Sequence, residues 1–453
     1  MILKIRKHQI KPSSHDSALL LGIIIWYVIA ALLTGFLGLP KSLVYFGDVL
    51  NVWLFIKAVC RFRNEDYKIQ KNPALFCMIL FSLIGICSSF ANLESPLLTL
   101  WGIRQNFRYF IFYFSCIMFL KEKDVRILIR IIAVLFWVSI PLCAIEALFI
   151  TYPRDAIIGD YVGGVYYGIQ GANAPLNVIL IIYCTNVVLR YLDNKCKFKL
   201  LLATLVSALF MAALSELKVF LVEIVIIAVM AMILKGISLK GVVIMLIGII
   251  GMGIAINVFV QINARGRSYY TTDYLSFSGM LENVFRDTGY DGVGDLNRFT
   301  AVPVLTEKFF SNDIVGFMFG LGLGNADYSL SYEFLQSKFY QSYSWLHYQW
   351  FSISFVFIET GALGLILYIL IFTTSLQQGL KRLKRGGYYR GFYSIMLVMM
   401  FILLIYNPSL RNEQCGFLLY LILSIPYAIN GENEELIKEI SAKFQIVMKT
   451  SSM

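Results

Sequence analysis

The chain has 453 residues, of which 58% are hydrophobic, and it carries a formal net charge of +11 at pH 7. Its mean hydropathy of +0.71 is far above what a soluble chain of this length needs for its core, which excludes an ordinary water-soluble enzyme. The sequence contains no Walker-type phosphate loop and no G-x-G-x-x-G motif, so a soluble nucleotide-binding domain is excluded as well.

Apolar runs of about 18 or more residues recur along the chain, and each is long enough to cross about 30 Å of hydrocarbon. Because backbone polar groups must pair internally in lipid, these runs are predicted to be α-helices. The predicted fold class is therefore all-α, a polytopic transmembrane bundle of about twelve spans. The spans are predicted at residues 17–37, 42–60, 73–93, 97–120, 125–150, 173–193, 198–214, 217–235, 239–262, 348–376, 391–408 and 413–430.

The distribution of Lys and Arg predicts the orientation of these spans. Basic residues collect in the N-terminal "MILKIRKHQIK" and in the loops "RFRNEDYKIQK", "KEKDVR", "RYLDNKCKFK", "KGISLK" and "KRLKRGGYYR". These segments fall on one side when the helices alternate, and positively charged loops stay in the cytoplasm. Both termini are therefore predicted to be cytoplasmic. The same bias explains most of the net charge, so no nucleic-acid partner is expected.

The predicted organisation has four parts. Residues 1–262 hold spans one to nine, with a small periplasmic loop near 151–172, and residues 263–347 form a large periplasmic loop. Residues 348–430 hold the last three spans, and residues 431–453 form a cytoplasmic tail. Neither periplasmic loop contains a cysteine, and no Cys–His spacing fits zinc. We therefore expect no external disulfide framework, no metal site and no cofactor.

Ionisable side chains at membrane depth mark candidate sites, because each costs a few kcal/mol unless it meets water or a partner. The fourth span carries Arg104 and Arg108, which lie on one helix face near its external end. Such a pair of guanidinium groups suits the oxygens of a phosphate or diphosphate. The alternative is that both side chains extend from the helix end to the lipid headgroups.

Three further charged residues lie near external helix ends. Glu146 is near the outer end of the fifth span, and the tight turn "ALSELKVF" carries Glu216 and Lys218. Lys218, at the outer mouth of the eighth span, could face a shared external cavity. The alternative for the turn is a simple polar pair between Glu216 and Lys218.

The large external loop combines arginines with many tyrosines, a composition that suits a sugar, although a partly ordered cap over the bundle is the alternative. The loop also contains "FGLGLGNA", where alternating glycines predict a close approach of the backbone to a ligand or to a neighbouring helix. The candidate substrate contacts in this loop are Arg265, Arg286, Arg298 and Tyr343.

The segment "SWLHYQWFSISFVFIETGALG" carries His347 at the mouth of the tenth span and Glu359 inside it. Imidazole exchanges protons near neutral pH, so His347 is a candidate general base. The alternative is an interfacial residue in an aromatic belt with Trp345 and Trp350. In a continuous helix Glu359 would lie about 18 Å further in, which predicts a structural role for it.

The order of these features resembles the O-antigen polymerase and ligase superfamily of bacterial envelope proteins. The shared pattern is a dozen spans and a large external loop with an Arg, a G-x-G-like stretch and a His before a G-x-x-G segment. Here it reads "LNRF…FGLGLGNA" and "SWLHYQWF…ETGALG", with Arg298, His347 and Gly361/Gly364, while "LSELKV" is similar to the family's Ser–Arg turn. Tyr348 and a longer interval after the histidine depart from the ligases and favour a polymerase.

The resemblance implies metal-independent glycosyl transfer at the periplasmic face of the bacterial inner membrane. Donor and acceptor would be glycans on undecaprenyl diphosphate in the lipid bilayer, and a chain-length regulator protein is a candidate partner. Alternatives are a ligase that transfers glycan to lipid A core and a flippase for lipid-linked oligosaccharide. The resemblance implies that the diphosphate contacts are among Arg298, Arg104, Arg108 and Lys218, and that the proton acceptor is His347, Glu216 or Glu146.

Overall fold

A computed structural model describes residues 14–64, 72–93, 95–152, 158–167, 170–263, 289–290, 294–329 and 332–429. Over these ranges the ordered elements are helices, and the β-pairing is limited to one isolated antiparallel bridge between Tyr290 and Leu296. The predicted all-α class is therefore confirmed. Two candidate residues, Arg265 and Arg286, and the predicted tail at 431–453 lie outside the described residues.

In the described part of the chain, one long helix occupies each of the twelve predicted span positions. They are α1 (Ser14–Gly35), α2 (Tyr45–Asn64), α3 (Pro73–Ala91), α4 (Pro96–Phe119), α5 (Glu122–Phe149), α6 (Asn173–Leu192), α7 (Phe198–Leu214), α8 (Lys218–Lys235), α9 (Leu239–Asn263), α10 (Ser352–Arg382), α11 (Tyr388–Tyr406) and α12 (Glu413–Ile429). Eight of them, namely α1, α2, α3, α5, α6, α9, α10 and α11, are long and apolar enough to cross a membrane. The protein is therefore a membrane-embedded helical bundle.

Local sequence signals set several helix starts. Asn72 precedes α3, and its side-chain oxygen accepts a hydrogen bond from the Leu75 amide at 3.1 Å, while proline occupies the first helical position. At the start of α5, the Asp124 carboxylate accepts from the Lys121 amide at 3.0 Å. Both arrangements satisfy amide groups that the helix itself leaves unpaired.

Helix α6 lies at the centre of the bundle, where it packs against α5, α7, α8 and α11. Every side chain from Ala174 to Leu189 is buried, including the polar residues Asn177 and Asn186. Helix α9, in contrast, packs mainly on α7 and α8 and leaves an apolar face exposed. An apolar face of this kind suits contact with lipid tails.

Helix α10 differs from its prediction in where it begins and in its regularity. It starts at Ser352 rather than at 348, because His347 adopts a left-handed conformation with φ 53° and separates two short 3₁₀ turns. Gly361, with φ 65° and ψ −167°, interrupts the helix. The predicted helical interval of about 18 Å from His347 to Glu359 is therefore wrong. Glu359 lies about 10 Å along the helix from its first residue.

The glycine-rich loop, residues 320–325, enters the helical bundle between α3, α4 and α10. The Gly322 amide donates to the Glu359 carbonyl at 2.8 Å, and the Leu323 amide donates to the Gly85 carbonyl at 3.3 Å. The loop thus pairs with the backbones of two helices. This close approach to neighbouring helices was one of the two interpretations of "FGLGLGNA".

Two glycines in this loop show why a side chain is excluded. A Cβ at Gly324 would lie 1.9 Å from the Leu98 carbonyl oxygen, and one at Gly322 would lie 2.4 Å from the Ser89 Cα. Their φ angles of 90° and 96° also disfavour residues with a Cβ. Backbone contact with helices α3 and α4 therefore explains these two glycines.

Candidate functional site

The predicted base His347 is paired with a carboxylate. Its Nδ1 atom lies 2.6 Å from Oδ1 of Asp295, and its ring stacks on Trp350 with 3.9 Å between centroids. The histidine side chain is 35% exposed, so the pair remains accessible. When the neutral ring is protonated at Nδ1, that N–H donates to the carboxylate and Nε2 becomes the acceptor. This geometry orients an imidazole for proton transfer.

Backbone pairing between the segments that carry them brings Asp295 to His347. The Leu296 amide donates to the Leu346 carbonyl at 3.2 Å, which places the residue before Leu296 beside the residue after Leu346. Asp295 and His347 are 52 positions apart in the sequence, and no spacing rule connects them. Sequence reasoning therefore identified the histidine and missed its carboxylate partner.

Arg298 lies between the end of α11 and the start of α10. Its Nε donates to the Tyr406 carbonyl at 2.9 Å, and its guanidinium group lies 4.6 Å from the Tyr406 ring and 5.9 Å from the Phe351 ring. Among the residues that the structure describes, no carboxylate forms an ion pair with Arg298. Its planar group is thus held by aromatic rings and one carbonyl, while its charge is not neutralised by a described neighbour.

The tight turn before α8 lies on the same side of the bundle. Helix α8, which follows this turn, packs against α11, and α11 ends at Tyr406 beside Arg298. The predicted pair forms, with Lys218 Nζ 3.5 Å from Glu216 Oε1. The other carboxylate oxygen, Glu216 Oε2, is buried and has no hydrogen-bond partner among the described residues. A carboxylate oxygen in that state is a candidate proton acceptor.

The small external loop packs against this turn. Asn173 Nδ2 donates to Asp160 Oδ1 at 3.1 Å and to the Ser215 carbonyl at 3.3 Å. A Cβ at Gly159 would lie 2.3 Å from the Cβ of Glu216, so the loop and the turn are in direct contact. The loop therefore forms one wall beside Glu216.

Glu146, the remaining candidate base, has a different environment. Its side chain is fully buried, and Oε2 accepts hydrogen bonds from the amides of Gly163 at 3.1 Å and Gly164 at 2.7 Å. A buried carboxylate that accepts two amide hydrogen bonds stabilises the loop that donates them. In this arrangement Glu146 holds the small external loop onto α5.

The first of the two arginines in α4 faces α2. Arg104 donates through Nε to Asp48 Oδ2 at 3.0 Å, and its NH2 group contacts the same oxygen. Its guanidinium group also lies 4.6 Å from the Tyr45 ring and 4.5 Å from the Trp101 ring. The charge of Arg104 is therefore compensated within the protein.

The second arginine of α4 is buried deeper. Arg108, whose side chain is 4% exposed, donates through NH1 to Glu413 Oε2 at 2.8 Å and through NH2 to the Arg411 carbonyl at 3.2 Å. The Tyr109 hydroxyl donates to the same carbonyl at 2.7 Å. These bonds tie α4 to the connection between α11 and α12.

Arg411, which sequence reasoning missed, continues this set of ion pairs. Its NH2 lies 3.6 Å from Asp327 Oδ1, its NH1 lies 3.6 Å from Glu359 Oε2, and its guanidinium group covers the Phe355 ring at 3.3 Å. Glu359 Oε1 accepts from the Gly324 amide at 2.8 Å, which links the pair to the glycine-rich loop. Burial raises the pKa of the Asp327 carboxyl, and the Arg411 charge opposes that rise.

The charged candidate residues and their partners therefore form two groups. The mouth site comprises His347, Asp295, Arg298, Glu216 and Lys218. The arginine cluster comprises Arg104, Arg108, Arg411, Asp48, Asp327, Glu359 and Glu413, in which three cations meet four carboxylates. Sequence signals existed for three of the missed members, since Arg411 and Glu413 lie in the polar stretch "NPSLRNEQ" between the last two spans and Asp48 lies within the predicted second span.

The last candidate, Tyr343, packs with Phe309 and Phe339, whose ring centroids lie 4.7 and 5.0 Å from its own.

Across the described ranges no group of three or more His, Cys, Asp or Glu side chains has a spacing that could hold a metal ion. No protein-family model matches the chain, and no curated protein shows significant sequence similarity to it.

Proposed function

We propose that this protein polymerises undecaprenyl-diphosphate-linked oligosaccharide repeat units into O-antigen or a related surface polysaccharide. The observation that carries this proposal is the mouth site, where an oriented imidazole and a guanidinium group without a described carboxylate partner occur in one external segment. Glycosyl transfer from a lipid diphosphate needs these two functions, a proton acceptor and a cation for the leaving group.

The proposed topology has twelve spans, with both termini in the cytoplasm of a bacterium and the mouth site at the periplasmic face of its inner membrane. The distribution of Lys and Arg supports this orientation. Helices at all twelve predicted positions, in the part of the chain that the structure describes, support the number of spans.

In the proposed reaction, Nε2 of His347 takes the proton of an acceptor hydroxyl group. The hydroxyl oxygen then bonds to the anomeric carbon of the donor glycan, and the bond from that carbon to the diphosphate oxygen breaks. Undecaprenyl diphosphate leaves with the bonding electron pair. Asp295 stabilises the imidazolium that forms, in the role that a carboxylate has beside a catalytic histidine.

The cations have different parts in this proposal. Arg298 and Lys218 are the proposed contacts of the diphosphate, and Glu216 Oε2 is the second candidate for the proton acceptor. Arg104 and Arg108 would reach a diphosphate only if their carboxylates released them, so we rank them behind Arg298.

The test begins with the polysaccharide of a strain that lacks the protein. Surface glycan limited to one repeat unit is the expected result, because addition of further units would be lost. Complete loss of surface-attached glycan would instead indicate the ligase or the flippase, and would overturn the proposed polymerase. Loss of a chain-length regulator, in contrast, should change the distribution of lengths without abolishing extension.

Reconstitution tests the chemistry. Purified protein supplied with lipid-linked repeat units should form a ladder of longer products in the presence of EDTA. A strict requirement for a divalent metal ion would contradict the mechanism in which residues of the chain stabilise the leaving group.

A further inference from the structure

A cleft of about 240 Å³ opens in the external segment, separate from the mouth site. One wall is the glycine-rich loop and the other is the short helix Lys338–Tyr343. The lining residues are Leu321, Asn325, Lys338, Phe339, Ser342 and Tyr343.

Hydrogen bonds hold the two walls of the cleft together. The Ser337 amide, at the start of the short helix, donates to the Asp327 carbonyl at 3.0 Å. The Tyr348 hydroxyl donates to the Ala326 carbonyl at 2.7 Å, and its ring packs on Phe339 with 5.2 Å between centroids. The cleft is therefore part of the folded external segment, and its shape is set before any ligand enters.

The lining is divided between aromatic and polar groups. Phe339 and Tyr343 form an aromatic wall with Phe309, while Ser342 supplies a hydroxyl group and Asn325 an amide whose Nδ2 donates to the Leu321 carbonyl at 2.6 Å. Flat aromatic faces bind the C–H face of a sugar ring, and the polar groups suit its hydroxyls. This combination fits a carbohydrate better than an acyl chain, which has no polar groups to pair with the lining.

The rim of the cleft is positively charged. Lys338 is exposed and has no ion-pair partner within the described ranges. Lys308, on the neighbouring segment Thr306–Phe310, has its ammonium nitrogen 4.3 Å from the centre of the Trp345 ring and 5.9 Å from that of Phe309. Two ammonium groups beside one aromatic wall favour a ligand with a negative charge.

We propose that this cleft binds one acidic sugar residue of the glycan, such as a hexuronic acid, with its carboxylate at Lys338. The volume lies below the range of about 300–1,000 Å³ that is typical of sites for drug-sized ligands, which fits a single ring. The assignment of a glycan as the ligand rests on the proposed function. Tyr343 is four positions before His347 in the chain, so the cleft would hold a sugar next to the site of transfer.

Direct binding tests the cleft without requiring polymerisation. The purified full chain in lipid nanodiscs is mixed with methyl galacturonoside or with the neutral methyl galactoside, and ligand-observed saturation-transfer NMR reports contact. We expect transfer to the acidic probe that weakens with added salt, because the charge contact is solvent-exposed. Equal transfer to the two probes, or none to the acidic one, would overturn the inference.

Substitution of the rim lysine locates the binding. Lys338→Gln should weaken binding of the acidic probe by about two- to fivefold, the range for one exposed charge pair. Lys384→Gln, which removes an equal charge from the connection between α10 and α11, is the matched control and should leave binding unchanged. Because Lys338 is exposed, its substitution should not disturb folding, and unaltered binding would contradict the proposed role of the cleft.

The binding assay also separates this inference from the proposed function. Arg298→Ala should lose polymerisation while the acidic probe binds as before. If the wild-type protein binds the acidic probe and fails to polymerise repeat units, the proposed function fails and the cleft remains. If it polymerises repeat units but does not distinguish the acidic probe from the neutral one, only the inference about the cleft fails.

Discussion

The arginine cluster and the mouth site both contain guanidinium groups, yet the partners of these groups differ. In the cluster, Arg411 lies between the carboxylates of Asp327 and Glu359. At the mouth, Arg298 bonds to a backbone carbonyl and lies over aromatic rings. From the sequence alone, Arg104 and Arg108 of the cluster and Arg298 of the mouth site were all expected to contact one diphosphate. An arginine that pairs with carboxylates therefore has a structural role, whereas an arginine without a carboxylate partner is available to bind a ligand.

Burial strengthens this distinction. Arg108 and Arg411 are 4% and 9% exposed, whereas His347 is 35% exposed. Removing one member of a buried ion pair is costly, because the other charge stays buried without compensation. The cluster joins the glycine-rich loop to α4, α10 and α12, so its first role is to hold that loop in the bundle.

The largest effect is expected at the centre of the cluster. Arg411→Met leaves two carboxylates buried without their cation and should lower the free energy of unfolding by about 3–5 kcal/mol. Thermal unfolding of the purified protein in detergent measures the loss. Arg298→Met, the same substitution at the mouth, is the control and should have a much smaller effect. Equal stability of the two variants would abolish the distinction between the regions.

The next largest effect concerns activity at the mouth. Arg298→Ala should reduce chain extension by about 100-fold, in the range for loss of one preorganised donor to a developing charge, with a normal amount of protein in the membrane. The lengths of the surface polysaccharide chains measure this loss of extension. Arg126→Ala, at an exposed position on α5, is the control. Wild-type chain lengths in the Arg298 variant would remove this residue from the site.

A substitution in the glycine-rich loop tests how tightly this loop packs without changing any charge in the arginine cluster. Gly324→Ala should destabilise the protein by about 1–3 kcal/mol, because the new methyl group meets the Leu98 carbonyl and the backbone conformation is unfavourable. Gly386→Ala has the same kind of positive φ, but its Cβ would meet nothing within 4 Å. The difference between the melting temperatures of the two variants measures the destabilisation caused by the steric clash at Gly324. Equal melting temperatures would contradict the tight packing of this loop.

The smallest effect tests the coupling of Asp295 and His347. Asp295→Asn should reduce polymerisation by about tenfold, within the coupling expected for residues in contact. The same change in a His347→Ala background should have no further effect, because the carboxylate acts through the imidazole. Rates of reconstituted chain extension for the four proteins measure this cycle. Additive losses would show that Asp295 does not act through His347.

Hydropathy alone predicts the helical class and the positions of the long helices. Long apolar runs in lipid leave no other backbone structure with satisfied hydrogen bonds, so α3, α6 and α11 fall where hydropathy predicts. Sequence reasoning also identified His347, a rare polar residue at a predicted helix end, and Arg298, which lies in the loop rich in Arg and Tyr and in the "LNRF" element of the family resemblance. Their proposed roles still depend on the experiments above.

Which charged side chains pair with each other is visible only in the folded chain. Arg108 and Glu413 are 305 positions apart, and Asp295 and His347 are 52 apart, so local periodicity carries no information on either pair. The start of α10 was also decided by tertiary contacts, since the left-handed conformation of His347 accompanies the pairing of its segment with the one that carries Asp295. Long-range packing assigns each cation its partner, which hydropathy and helix periodicity do not encode.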